Sequence, residues 1–119
     1  MTVNIKRIYE PFSKADGYRI LVDRLWPRGI KKEDAHIDKW MKEIAPSTEL
    51  RKWFHHGRDN WDQFVMKYHA ELSASSVVEE LLTDIREHKT VTLLYAVRDE
   101  HQNHALVLKK IIKSYKTNI

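Results

Sequence analysis

Tyr18-Arg19-Ile20-Leu21-Val22-Asp23-Arg24-Leu25-Trp26-Pro27-Arg28-Gly29 is the stretch on which the fold turns. Ile20 to Val22 form an unbroken apolar centre, the pattern of a strand covered on both faces in the middle of a sheet. The run then ends in one carboxylate, two guanidinium groups, an indole and a Pro/Gly pair. Asp and Arg are almost never fully buried unless paired, so a strand ending this way carries its polar groups to a partner or a ligand.

A second central strand is predicted at Thr90-Val91-Thr92-Leu93-Leu94-Tyr95-Ala96-Val97, which is β-branched, apolar and followed at once by polar residues. Ile5 to Tyr9 alternates and reads as a third, joined to the strand from Tyr18 to Leu25 by the polar turn Ser13-Lys14-Ala15-Asp16-Gly17. The segment Ile37 to Ile44 fits two templates. Ile37, Trp40, Met41 and Ile44 make a helical face, while Trp40 and Ile44 also fit strand alternation around Asp38 and Lys42. A short strand ending at Pro46 is favoured, with the helix kept open.

Helical periodicity is plainer elsewhere. Ser47 can cap a short helix carrying Leu50, Trp53 and Phe54, and Asn60 or Asp59 the next, whose Trp61, Phe64, Val65, Tyr68 and Leu72 share a stripe. Ser76-Val77-Val78-Glu79 has capping-box form, with Val78, Leu81, Leu82 and Ile85 inward. A last helix from about His104 to Tyr115 presents Ala105, Leu108, Ile111, Ile112 and Tyr115. Helices separating strands predict an α/β fold: one small domain over residues 1–119, with a mainly parallel sheet of about four strands flanked by helices.

Composition sets limits on chemistry. A chain of 119 residues, 42% hydrophobic and 32% charged, is an ordinary globular sequence long enough to close one core. Without cysteine there are no disulfides, zinc thiolates or thiol nucleophiles. Three glycines and no Gly-x-Gly-x-x-Gly or Gly-Lys-Ser/Thr loop exclude dinucleotide and P-loop sites, and no cofactor is called for. The start, Met1-Thr2-Val3-Asn4-Ile5-Lys6, has no signal-type apolar block, and no membrane-length run follows, so a cytoplasmic location without membrane contact is expected. The net charge of +4 is uneven: residues 1–32 hold eight Lys/Arg against three Asp/Glu. The end adds Lys109, Lys110, Lys113 and Lys116 with no acid, as a phosphate-bearing partner or simply a solvated helix face would have it.

Ligands of open α/β sheets sit beyond the carboxyl ends of the strands. That rule selects the loops Arg24 to Gly29 and Arg98 to Asn103, with the Pro46-Ser47 turn between them. Arg24 and Arg28 stand four apart across a loop stiffened by Pro27, and two planar forks can clamp a phosphate, sulfate or carboxylate. The competing reading is an Asp23–Arg24 ion pair that only shapes the loop. Asp23 could orient Arg24 or act as a base, and His104 could transfer a proton near neutral pH. Tyr95 offers a hydroxyl, Trp26 a stacking face, and Arg98 and Asn103 a second polar loop, with Asp99 or Asn103 as helix cap. Ser47 could donate to the anion or cap its helix. The histidine set His55, His56, His69, His101 and His104 lacks metal-site spacing, so no metal is assigned.

Three motifs in order are shared with a known family: Val22 to Gly29; Ala45-Pro46-Ser47-Thr48-Glu49-Leu50-Arg51-Lys52-Trp53-Phe54-His55-His56; and Thr92-Leu93-Leu94-Tyr95-Ala96 followed by Asn103-His104-Ala105. Through them the chain resembles the YeaO-like branch of the bacterial domain-of-unknown-function family number 488 over almost its whole length. The resemblance implies a small cytosolic α/β protein with these motifs gathered at one sheet edge, and it carries over no settled activity. The family's longer branch has Cys-His-Arg where this chain has Asn103-His104-Ala105, so thiol chemistry cannot transfer here. The function expected is a cleft for a phosphate-like or carboxylate anion, in a small enzyme or binding protein. The alternative is a nucleic-acid-binding or regulatory protein-interaction module without catalysis, suggested by the pI of about 9.3.

Overall fold

A computed structural model describes residues 2–57 and 60–117. Four parallel strands form one sheet: β1 (Thr2–Arg7), β2 (Tyr18–Leu21), β3 (Lys39–Trp40) and β4 (Thr90–Tyr95), in the order β1-β4-β2-β3. The two apolar strands, β2 and β4, occupy the centre as their hydrophobicity demands. Among the described residues five α-helices accompany them: α1 (Lys32–Ala35), α2 (Thr48–Gly57), α3 (Trp61–Ser73), α4 (Val77–Glu87) and α5 (His104–Thr117). The protein is a single α/β domain.

Side-chain alternation splits the sheet into two faces. Ile20, Val22, Val91, Leu93 and Tyr95 join the main core with Phe64, Tyr68 and Leu72 of α3, Leu81, Leu82 and Ile85 of α4, and Leu108 and Ile112 of α5. Leu21 and Leu94 point the other way and meet Ile8, under a cover of Trp26, Ile30, Ile37 and Trp40. That second face is therefore roofed by the long β2–β3 connection rather than by a full helix.

The segment Ile37 to Ile44 follows neither template over its length, and the expected strand stops at Trp40 rather than at Pro46. Only Lys39 and Trp40 pair with β2, and a 3-10 turn at Lys42–Ile44 follows. Trp40 turns to the small cluster while Met41 and Ile44 enter the main core, so the chain must twist between them. Strand pairing in β2 ends earlier than its apolar run suggests, although Val22 N–H still donates to Leu94 O at 3.0 Å.

Two capping expectations need correction. Ser76 stands at the N-cap of α4 with ψ near 0° and makes no side-chain cap; Ser75 Oγ instead accepts the Val77 N–H at 3.2 Å. A capping box requires an extended N-cap residue, which that backbone does not provide. Asn60 holds the N-cap position of α3 without a side-chain capping bond, and Asp59 lies outside the described residues. Tyr115, expected inward, is exposed, and Val107 is buried in α5 instead.

Sequence patterning also missed a buried charge network beneath the sheet. Arg19, inside β2, is only 2% exposed. Its guanidinium bonds the Asp16 carboxylate and donates to His36 O at 2.9 Å and Ala35 O at 3.2 Å. Lys6 Nζ reaches both Asp16 oxygens at 3.1 Å. Burial pushes Asp16 up, but the Lys6 hydrogen bond, the Ser13 N–H and Arg19 outweigh it and hold the carboxyl below the ordinary aspartate value.

Candidate functional site

The strand ends and the loops beyond them enclose a cleft of about 480 Å³. Three segments distant in sequence build it: residues 23–28 after β2, Ala45-Pro46 before α2, and residues 96–99 and 102–104 from the end of β4 to the start of α5. The α2–α3 hairpin closes it with Arg51, Phe54, Trp61 and Phe64. Tyr9, Leu25 and Val97 line it as well and are exposed, Leu25 to 65%, giving the cleft an apolar mouth.

Asp23 and His104 tie the strand ends to α5. Asp23 Oδ2 accepts the Ala96 N–H at 3.0 Å, linking the end of β2 to that of β4. His104 Nε2 lies 2.9 Å from Val22 O, and because a carbonyl only accepts, that nitrogen carries the hydrogen. The same Nε2 is 3.0 Å from Asp23 Oδ1, an ionic contact when the imidazole is protonated. Its N–H is directed at the carbonyl, so Oδ1 is buried without a hydrogen-bond partner among the described residues.

Arg24 is also committed. Its Nη2 donates to Ala45 O at 3.1 Å and its Nε to Pro46 O at 3.3 Å, fastening the Arg24–Gly29 loop to the turn before α2. The mutual ion pair of Asp23 and Arg24 is thus replaced by separate bonds to backbone and His104. Trp26 anchors the loop by donating to Ile30 O at 2.7 Å and meets Trp40 edge-on at 5.5 Å. Trp40 in turn donates to Asp23 O at 2.7 Å.

Arg28, Arg51 and Arg98 differ from Arg24. All three line the cleft, and their guanidinium groups bond no described residue. Arg28 and Arg98 are exposed, whereas Arg51 is half-buried. The backbone under Arg28 is pinned, since Tyr9 Oη donates to Arg28 O at 2.9 Å. Gly29 follows with φ +77°, the left-handed turn that lets the loop double back.

The remaining candidates divide. Asn103 caps α5: its Oδ1 accepts the Leu106 N–H at 2.8 Å and its Nδ2 donates to Asp99 O at 3.0 Å. Asp99 Oδ1 accepts the N–H groups of His101 and Gln102 at 2.8 and 3.0 Å, shaping the loop rather than capping the helix. Those bonds hold its carboxyl below the ordinary value.

Ser47 stands outside the cleft lining. Its Oγ is bonded to the Glu71 carboxylate and accepts the Leu50 N–H at 3.1 Å, the cap expected of it. Tyr95 is likewise outside, buried in the main core, and burial followed by the charges of Glu100 and Glu10 raises its phenol. Among the described residues no group of three or more acid or histidine side chains gathers as a metal site; the His55 and His56 side chains are outside that set.

Arg51 and the aromatic wall were missed from sequence because they read as helix-face residues. The available signal was the position of Arg51 and Phe54 three apart on a helix starting beside Pro46.

A small parallel α/β domain with an arginine-bearing cleft at its strand C-termini is the class that fold and site define. The chain belongs to the DUF488 family: a model described as the inactive DUF488-N3 subclade matches residues 2–118. Uncharacterized protein YeaO of Escherichia coli K12 is 50% identical over 114 residues, covering 96% of this chain and 99% of that one. Uncharacterized proteins of Mycobacterium tuberculosis H37Rv and Mycobacterium bovis are each 40% identical over 110 residues, 92% of both chains. No solved structure matches significantly.

Proposed function

We infer that the protein binds a small anion, phosphate-like or carboxylate, in this cleft, and that binding rather than turnover is its task. The observation carrying this reading is that Arg28, Arg51 and Arg98 line one pocket without a side-chain partner among the described residues. A guanidinium presents a rigid fork of donors matched to phosphate and carboxylate oxygens, and the four arginines lining the cleft outnumber its two aspartates, Asp23 and Asp99.

Catalysis finds less support. Asp23 Oδ2 already accepts a backbone N–H and Oδ1 is shielded from solvent, so neither oxygen is placed to take a proton from a ligand. His104 Nε2 spends its hydrogen on Val22 O. The pair holds three elements in register, in keeping with a family model described as inactive.

A thermal-shift series with inorganic phosphate, sulfate and acetate tests the reading. Phosphate or sulfate should raise the melting temperature of the native chain, and Arg28→Ala should lose that shift while its ligand-free melting point stays within a degree or two, about what an exposed surface change costs. An unchanged shift in Arg28→Ala would remove the reading's main support.

A further inference from the structure

We propose that the anion's natural carrier is an aromatic ring, so that the cleft takes an aryl phosphate or aryl carboxylate rather than a bare ion. The proposal rests on the anion reading and adds the second half of the ligand. Its basis is the wall that α2 and α3 turn toward the arginines. Trp61 and Phe64 lie nearly parallel, with 15° between ring planes and 5.2 Å between centroids. Phe54 closes on both, 4.8 Å from Phe64 and 5.9 Å from Trp61.

All three rings line the cleft, although Phe54 and Trp61 are only half-buried by the protein's own packing. Phe64 is buried in the main core, whereas Trp61 stays half-buried at the cleft, and Arg51 lies three residues before Phe54 on the same face of α2. Flat rings favour an offset-stacked or edge-on partner ring, and the neighbouring guanidinium groups can hold the anionic substituent while stacking on the same ring system. A bare inorganic anion would leave this wall wet, and an aliphatic ester would cover it without the ring–ring preference. The cleft's volume of about 480 Å³ suits a ligand with both parts.

Calorimetric titration of the full chain with four probes separates these possibilities. Phenyl phosphate against methyl phosphate, and benzoate against acetate, isolate the ring at constant headgroup, and comparing the two pairs shows which anion is preferred. The expected result is a ring advantage of about tenfold or more in at least one pair. Trp61→Leu should erase that advantage, bringing phenyl phosphate to the affinity of methyl phosphate and benzoate to that of acetate. Phe54→Leu serves the same purpose if the first variant does not fold, with circular dichroism melting as the check. Equal affinity within both pairs would overturn the aryl assignment while leaving the anion reading intact. No binding by any of the four would overturn both.

Discussion

Five arginines of this chain show how context assigns one residue type to different work. Arg19 is buried and bonded, Arg24 is spent on two carbonyls, and the guanidinium groups of Arg28, Arg51 and Arg98 at the cleft bond none of the described residues. Sequence alone set Arg24, with Asp23 beside it, apart from Arg28, but did not find the partners Arg24 has. The partners of Arg24 are backbone atoms at positions 45 and 46, which no side-chain pattern reports. Asp23 is the residue whose loss the strand ends should feel most. Asp23→Ala leaves the Ala96 N–H without its acceptor and removes the counter-charge beside His104, at a cost of about 1–3 kcal/mol in urea unfolding. Asp16 makes the pH prediction. Its folded pKa lies below the ordinary 3.8, so its contribution to stability is complete above that value and is lost as pH falls through the lower folded one. Asp16→Asn should cost about 3–5 kcal/mol at neutral pH because Arg19 stays buried without its counter-ion, and the gap from the native chain should narrow in acid. A gap independent of pH would contradict the ionic role.

Among the elements, the central strands were the most legible. Unbroken apolar runs at Ile20 to Val22 and Leu93-Leu94 can only be satisfied between two covered faces, and both strands are found there. The loops following them, picked out by the rule of strand C-termini, do form two walls of the cleft. What could not be read was the α2–α3 wall, since its position depends on the hairpin docking over the strand ends, a tertiary event. The start of β2 carries its own constraint. Gly17 has φ +67°, and a Cβ there would fall 2.3 Å from Thr90 O and 2.8 Å from Thr90 Cβ. Gly17→Ala should therefore push β2 off β4 and cost more than the about 1 kcal/mol of backbone strain alone, seen as a large drop in melting temperature. A near-neutral substitution would mean that the β1–β2 turn is more yielding than its contacts imply.

For the whole molecule, a net charge of +4 admits both a small anion and a nucleic acid. The two differ in how much surface they engage. A polynucleotide would draw on the basic residues of α5 and the first third of the chain, and its affinity would fall steeply with salt. A cleft ligand would depend on three arginines. Fluorescence anisotropy with mixed-sequence duplex DNA and RNA at ~50 mM salt, where backbone contacts are strong, should accordingly show no binding. Tight, salt-sensitive binding there would return the nucleic-acid alternative to first place. Among the described residues no helix is long and apolar enough to cross a membrane.

The most direct measurement follows the arginine side chains themselves. In a 15N-resolved spectrum of the Nε–H groups, titrating inorganic phosphate should move Arg28, Arg51 and Arg98 together with one saturating curve. Arg19 and Arg24, whose Nε–H groups are already given to His36 O and Pro46 O, should stay nearly fixed. Equal, non-saturating drifts across all five, or none at all, would contradict the claim that this cleft is an anion site.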